Sequence, residues 1–122
     1  MSNTTVIVGT ESSYVRNITI PIGSDFEKTF FLKTTANSIL DLTSYTGASS
    51  LKKHSVSTSS TPITLTFTNR STGEIKISLG SSITSSLKSG RYVYDILLNS
   101  GTKKTRIVEG SVIVTAGITT TI

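Results

Sequence analysis

The sequence predicts an all-β domain, a sandwich of about seven antiparallel strands with one short helical turn. Two features carry that expectation. Apolar residues recur at every second position in short runs, as on sheets with one wet and one dry face. The polar positions are mostly Ser and Thr, and the apolar ones are largely β-branched, which favours strands over helices. At 122 residues one core and one domain are expected, long enough to fold without cross-links.

The strands follow in order. Ile18, Ile20 and Ile22 alternate with Asn17, Thr19 and Pro21. Pro21 cannot donate to a ladder, so this segment belongs at an edge or a strand end. Gly23-Ser24 turns the chain into 25–34, where Phe26, Phe30 and Leu32 share the dry face. Ile39–Thr43 reads as extended, and a further strand is expected over Gly47–Lys53. His54–Pro62 is rich in Ser and Thr without an apolar period and reads as a loop. Ile63, Leu65 and Phe67 then alternate with threonines, and Ile75, Ile77 and Leu79 alternate with polar residues. Asn69–Gly73 between them has turn chemistry, so the two runs form a hairpin. Ser81–Leu87 is the one helical candidate: Ser81 or Ser82 caps it, and Ile83 and Leu87 share a side at i, i+4. Tyr92, Tyr94, Ile96 and Leu98 alternate in the next strand, Ser100-Gly101 turns, and Val108, Val112 and Val114 line the return. Such turn spacing is that of an immunoglobulin-like sandwich, with Tyr94, Ile96, Val112 and Val114 completing the expected core.

Charge and composition exclude several functions. Twelve Lys and Arg against seven Asp and Glu give a net charge of +5, which permits anionic partners. The basic residues come singly or in pairs, Trp is absent, and aromatic and basic residues do not interleave, so nucleic-acid binding is not expected. No run approaches the ~20 apolar residues of a membrane span. Met1–Thr5 lacks the basic start of a signal peptide, so a soluble product of the cytoplasm is expected.

Catalytic and metal chemistry lack their usual constellations. There is no cysteine, hence no disulfide framework and no thiolate metal site. His54, the one histidine, follows Lys52-Lys53, which would repel a cation, and reads as a surface residue. The glycines are isolated, with no phosphate-binding loop. Asp95 lies in an apolar strand. With a two-residue turn over Asn99–Thr102 it faces Arg106 across the ladder, a register-fixing ion pair rather than a catalytic acid. Tyr45, Tyr92 and Tyr94 could form a sugar-binding shelf, but alternation sends Tyr92 and Tyr94 to the core. No enzyme, cofactor, metal or small-molecule substrate is expected.

The series Gly23–Phe26, Phe30–Leu32, Leu40–Thr46, Thr72–Leu79, Leu87–Ile96 and Val108–Val114 resembles immunoglobulin-like domains of bacteriophage virion proteins. It is most similar to the N-terminal domains of baseplate upper proteins and to related structural proteins of cyanobacterial phages. The resemblance implies a non-enzymatic virion component, made in the host cytoplasm, that docks other virion proteins in a symmetric assembly. A subunit of the tail, neck or baseplate is the first expectation, a capsid decoration protein the second, and a carbohydrate-binding module the third.

The sandwich is expected over 14–114, with an N-terminal arm over 1–13 and a C-terminal tail over 115–122. Both ends have too little apolar area for a core of their own. Val6, Ile7 and Val8 in the arm, and Ile118 and Ile122 in the tail, have β-propensity. Segments of this kind gain most by adding to an exposed sheet edge, so these five residues are the expected contacts with neighbouring subunits.

Overall fold

The computed structural model describes residues 3–7, 14–34, 38–54 and 57–116. The described strands are β1 (Asn3–Ile7), β2 (Tyr14–Val15), β3 (Ile18–Pro21), β4 (Phe26–Lys33), β5 (Thr46–Lys52), β6 (Thr61–Asn69), β7 (Glu74–Leu79), β8 (Gly90–Asn99) and β9 (Lys104–Thr115). One helical turn, α1 (Ser81–Thr84), joins β7 to β8. The strands follow the path β1-β4-β7-β6-β5-β8-β9-β2, with β3 also on β9, so that one sheet nearly closes on itself.

Two expectations need correction. Nine strands are described rather than about seven, and they are not all antiparallel. β1 runs parallel to β4, and β2 and β3 run parallel to β9. The cause is the N-terminal segment, which supplies three short edge strands where alternation marks only one. Between the two halves of the path β6 changes partner: Thr61–Ile63 lie against β5, and Thr64–Asn69 against β7.

A single core fills the space between the halves, drawn from both ends of the path. Ile20, Phe30, Leu32, Ile75, Ile77, Ile96 and Val112 are fully buried. Each is the inward member of a period-two strand. Leu65 and Phe67, expected in the core, are only partly buried. A register shift between Thr66 and Asn69 turns the end of β6, and the Phe67 ring meets the Arg70 guanidinium at 4.1 Å. That guanidinium also donates to Leu42 O at 2.6 Å and Tyr45 O at 2.7 Å, holding 42–45 against the β6–β7 turn with Leu42 buried. The turn closes at Gly73, whose φ of 75° suits glycine. A Cβ there would stand 2.6 Å from Leu32 O.

The helical turn packs differently from its expected pattern. Ile83 is exposed, whereas Thr84 is fully buried. Gly80 occupies the cap position, with no side-chain cap of its own. Asp25 Oδ1, just before β4, instead accepts from the Ser81 N–H at 2.7 Å. The Thr84 hydroxyl donates to Ser24 O at 2.8 Å and accepts from the Gly23 N–H at 3.1 Å. These bonds pin α1 to the β3–β4 corner.

Candidate functional site

Of the five expected contact residues, Val8, Ile118 and Ile122 lie outside the described residues. Val6 is fully buried in the core and pairs with Leu32, and Ile7 pairs with Lys33. Residues 3–7 therefore belong to the domain's own sheet, not to an arm outside it. The β4 edge offers the unpaired N–H and C=O groups that such a segment seeks. For Val6 the expected contact with a neighbour is replaced by one within the chain.

The β3 edge is locked by side chains as well as by its ladder. The Tyr94 hydroxyl donates to Arg16 O at 2.6 Å, and Asn17 Oδ1 accepts from the Ser111 N–H at 3.0 Å. The Arg16 N–H donates to Glu109 O at 2.9 Å. Burial pushes the Tyr94 hydroxyl well above its ordinary range, with the Arg16 charge pulling the other way. Lys28 shares the inward row of β4 with Phe26 and Phe30 and is itself buried. Burial, and secondarily the charge of Arg16, lower its ammonium below the usual lysine range. Arg16 Nε is buried without a hydrogen-bond partner among the described residues.

Outside this edge, the outward residues of β5, β8, β9 and β2 surround a shallow concavity of about 450 Å³. Its lining includes Val15, Lys52, Val93, Asp95, Arg106 and Glu109. The expected ion pair exists, with Arg106 Nε 2.9 Å from Asp95 Oδ2, but the register behind it differs. Asn99 pairs with Lys104 around a turn in which the Ser100 N–H donates to Lys103 O. Gly101 there has a φ of 96°. A register shift between Ile96 and Leu97 then places Asp95 opposite Glu109 and Arg106 opposite Leu97. The pair is thus a diagonal one. Ile107 and Val108, adjacent in sequence and both buried, mark the irregularity in β9.

The tyrosines do not make a shelf. Tyr94 is buried; Tyr92 is half-buried, donates to Lys88 O at 2.9 Å and lies under the Lys53 ammonium at 4.7 Å. His54 is exposed and sits in a turn closed by Ser57, whose N–H donates to His54 O at 3.0 Å. Among the described residues no three His, Cys, Asp or Glu side chains converge as metal ligands, and no helix is long and apolar enough to cross a membrane.

No protein-family profile and no curated protein matches the sequence. Solved structures do match in fold. The N-terminal domain of phage TP901-1 ORF48 is similar over 93% of this chain and 98% of that one, with 10% identity and a TM-score of 0.52. The Lin-41 filamin domain is similar over 90% of each chain, with 17% identity and a TM-score of 0.50. At such identities the likeness is one of fold. The chain shares the all-β arrangement of filamin and immunoglobulin-like domains.

Proposed function

We propose that this chain is a non-enzymatic structural protein of a bacteriophage particle, an immunoglobulin-like sandwich that docks neighbouring subunits of the tail, neck or baseplate. The observation that carries the reading is the near end-to-end likeness to a phage domain, 93% of this chain against 98% of that one. The resemblance of Gly23–Phe26, Leu40–Thr46 and Leu87–Ile96 to baseplate upper proteins supports it from the sequence side. On this reading the domain acts as a spacer with faces for neighbours, and its place of work is the virion.

Particles purified on a density gradient from the native host test the proposal. The chain should co-purify with them at a fixed copy number, and cryo-electron microscopy should find it in rings of tail symmetry. Density spread over many quasi-equivalent shell positions would select capsid decoration instead. Recovery only in the soluble fraction, with none in particles, rejects the virion role altogether.

A further inference from the structure

We infer that the end of the sandwich where β5 leaves and β8 enters docks an acidic surface of a different protein, through Lys53, Lys88 and Arg91. This gives the docking proposed above a face and a partner chemistry. It rests on that reading for its biological setting alone, since binding to an acidic segment is measurable in solution without particles.

Charge is unevenly spread along this chain. Between Asp41 and Asp95 stand six Lys and Arg against one acid, Glu74. Two of the six are engaged: Lys76 pairs with Glu27 at 3.4 Å, and Arg70 donates to Leu42 O and Tyr45 O. The other four, Lys52, Lys53, Lys88 and Arg91, meet at one end of the fold, because Lys52 closes β5 opposite Val93 and Gly90 opens β8. None of these four has an ion-pair partner among the described residues. Nearby acids do not serve them. β6 begins beside Leu51 and ends beside Glu74, which puts that carboxylate at the far end. Asp25 accepts from the Ser81 N–H, and Asp95, one row along the outer face from Lys52, is held by Arg106.

Lys53 is also held in place. Its ammonium lies 4.7 Å from the centre of the Tyr92 ring, and the Tyr92 hydroxyl donates to Lys88 O at 2.9 Å. Gly90, with a φ of 141°, leaves the room: a Cβ there would stand 3.0 Å from Lys53 Nζ. Lys88 and Arg91 flank Gly90 in sequence, and both are exposed, as is Lys53. An ammonium already fixed in this way loses less freedom when it meets a carboxylate.

The same geometry selects the partner. A cationic surface without acids of its own fits one of opposite sign. A second copy, itself carrying +5, is repelled. Single-stranded nucleic acid needs a free ring for its bases, and a bilayer is gripped by apolar side chains beside the cations. Here Tyr92 lies under Lys53 with its hydroxyl spent, and Leu87 packs against the core. Clustered Asp or Glu carboxylates of another protein need only the charges.

Fluorescence anisotropy of a labelled decaglutamate peptide, titrated with the full chain at low and high salt, reads the docking. Binding is expected at low salt and should weaken as salt rises. Lys88→Gln combined with Arg91→Gln should weaken it about tenfold, and Lys53→Gln alone about threefold. The matched control, Lys103→Gln with Lys104→Gln, removes the same charge from the turn at the other end of β8 and should change affinity less than about twofold. Unchanged thermal melting shows that each variant is folded. Equal losses from the two double variants overturn the inference, because the attraction then belongs to net charge alone. So does an absence of decaglutamate binding at low salt. Tighter binding to a deoxythymidine decamer or to phosphatidylserine vesicles, lost in the same variants, overturns it in favour of that ligand. Decaglutamate binding at this face by a chain that never enters particles supports the inference and rejects the virion role.

Discussion

The N-terminal segment lays down two edge strands that invite comparison, β1 on β4 and β3 on β9. Both run parallel to their neighbours, and β1 has the longer register, five aligned positions against four. Yet β3 is the better held. It buries Ile18 and Ile20, and the Ile22 N–H just beyond it donates to Thr115 O at 2.9 Å. The bonds from Tyr94 and to Asn17 secure the chain just before it. β1 has one buried side chain described, Val6. The strength of an edge strand thus comes from buried side chains and cross-locks more than from ladder length. Net hydrogen bonds add only about 1 kcal/mol each, and an edge strand gives up bonds to water to make them.

The largest expected effect is on the β3 side. Ile20→Ala should lower stability by about 4 kcal/mol, the cost of a fully buried isoleucine plus the cavity it leaves. Chemical denaturation measures it, and a loss no greater than the roughly 1.5 kcal/mol expected of Val6→Ala would mean that this edge is no better held than β1. Gly110→Ala comes next. A Cβ at Gly110 would run into the backbone carbonyl of Arg16, where no flexible side chain can give way. The strand must move, at a cost of about 3 kcal/mol. Val6→Ala, on β1, removes two methyl-sized groups and should cost about 1.5 kcal/mol. The order of these three tests the comparison: if Val6→Ala proves the most damaging, β1 is the principal edge.

Alternation made β4, β6, β7 and β8 legible, because each has one face against the core. It did not reveal what interrupts the rows. Lys28 stands in the inward row of β4, where its polar character gave no sign of burial. The position of β1 was hidden because Val6-Ile7-Val8 gives no period, and a parallel pairing at the edge leaves no turn beside it. The adjacent Ile107-Val108 was the one available sign of the β9 irregularity, and reading it would have moved Asp95 from Arg106 to Glu109. Thr84 was hidden by its own chemistry. Helical spacing pointed to Ile83 and Leu87, whereas the buried position needed a hydroxyl to serve Ser24 and Gly23. The outer face was illegible for a related reason: its charge pattern exists only once the shifted register brings Asp95 and Glu109 together.

A smaller effect sharpens the same comparison through pH. Tyr94→Phe removes the bond to Arg16 O and should cost about 1 kcal/mol near neutrality. Its pH dependence is more telling. Burial raises the Tyr94 pKa in the folded state above its ordinary value of 10.0, so the neutral phenol stabilises the fold below pH 10. That contribution is lost as pH rises past 10, where the unfolded chain ionises first. Lys28 has the opposite sign. Its folded pKa lies below the ordinary 10.5, so carrying the proton costs stability, and the cost fades as pH climbs toward 10.5. Wild-type stability above pH 10 is the balance of the two, whereas in Tyr94→Phe only the Lys28 gain remains. The gap between wild type and variant should therefore shrink as pH rises from 10 to 11, and the variant alone should keep gaining up to about pH 10.5. Denaturant titrations at half-unit intervals of pH measure both curves. A gap that stays constant to pH 11 would show that the hydroxyl is not held neutral by burial, and would remove Tyr94 from the locks on the β3 edge.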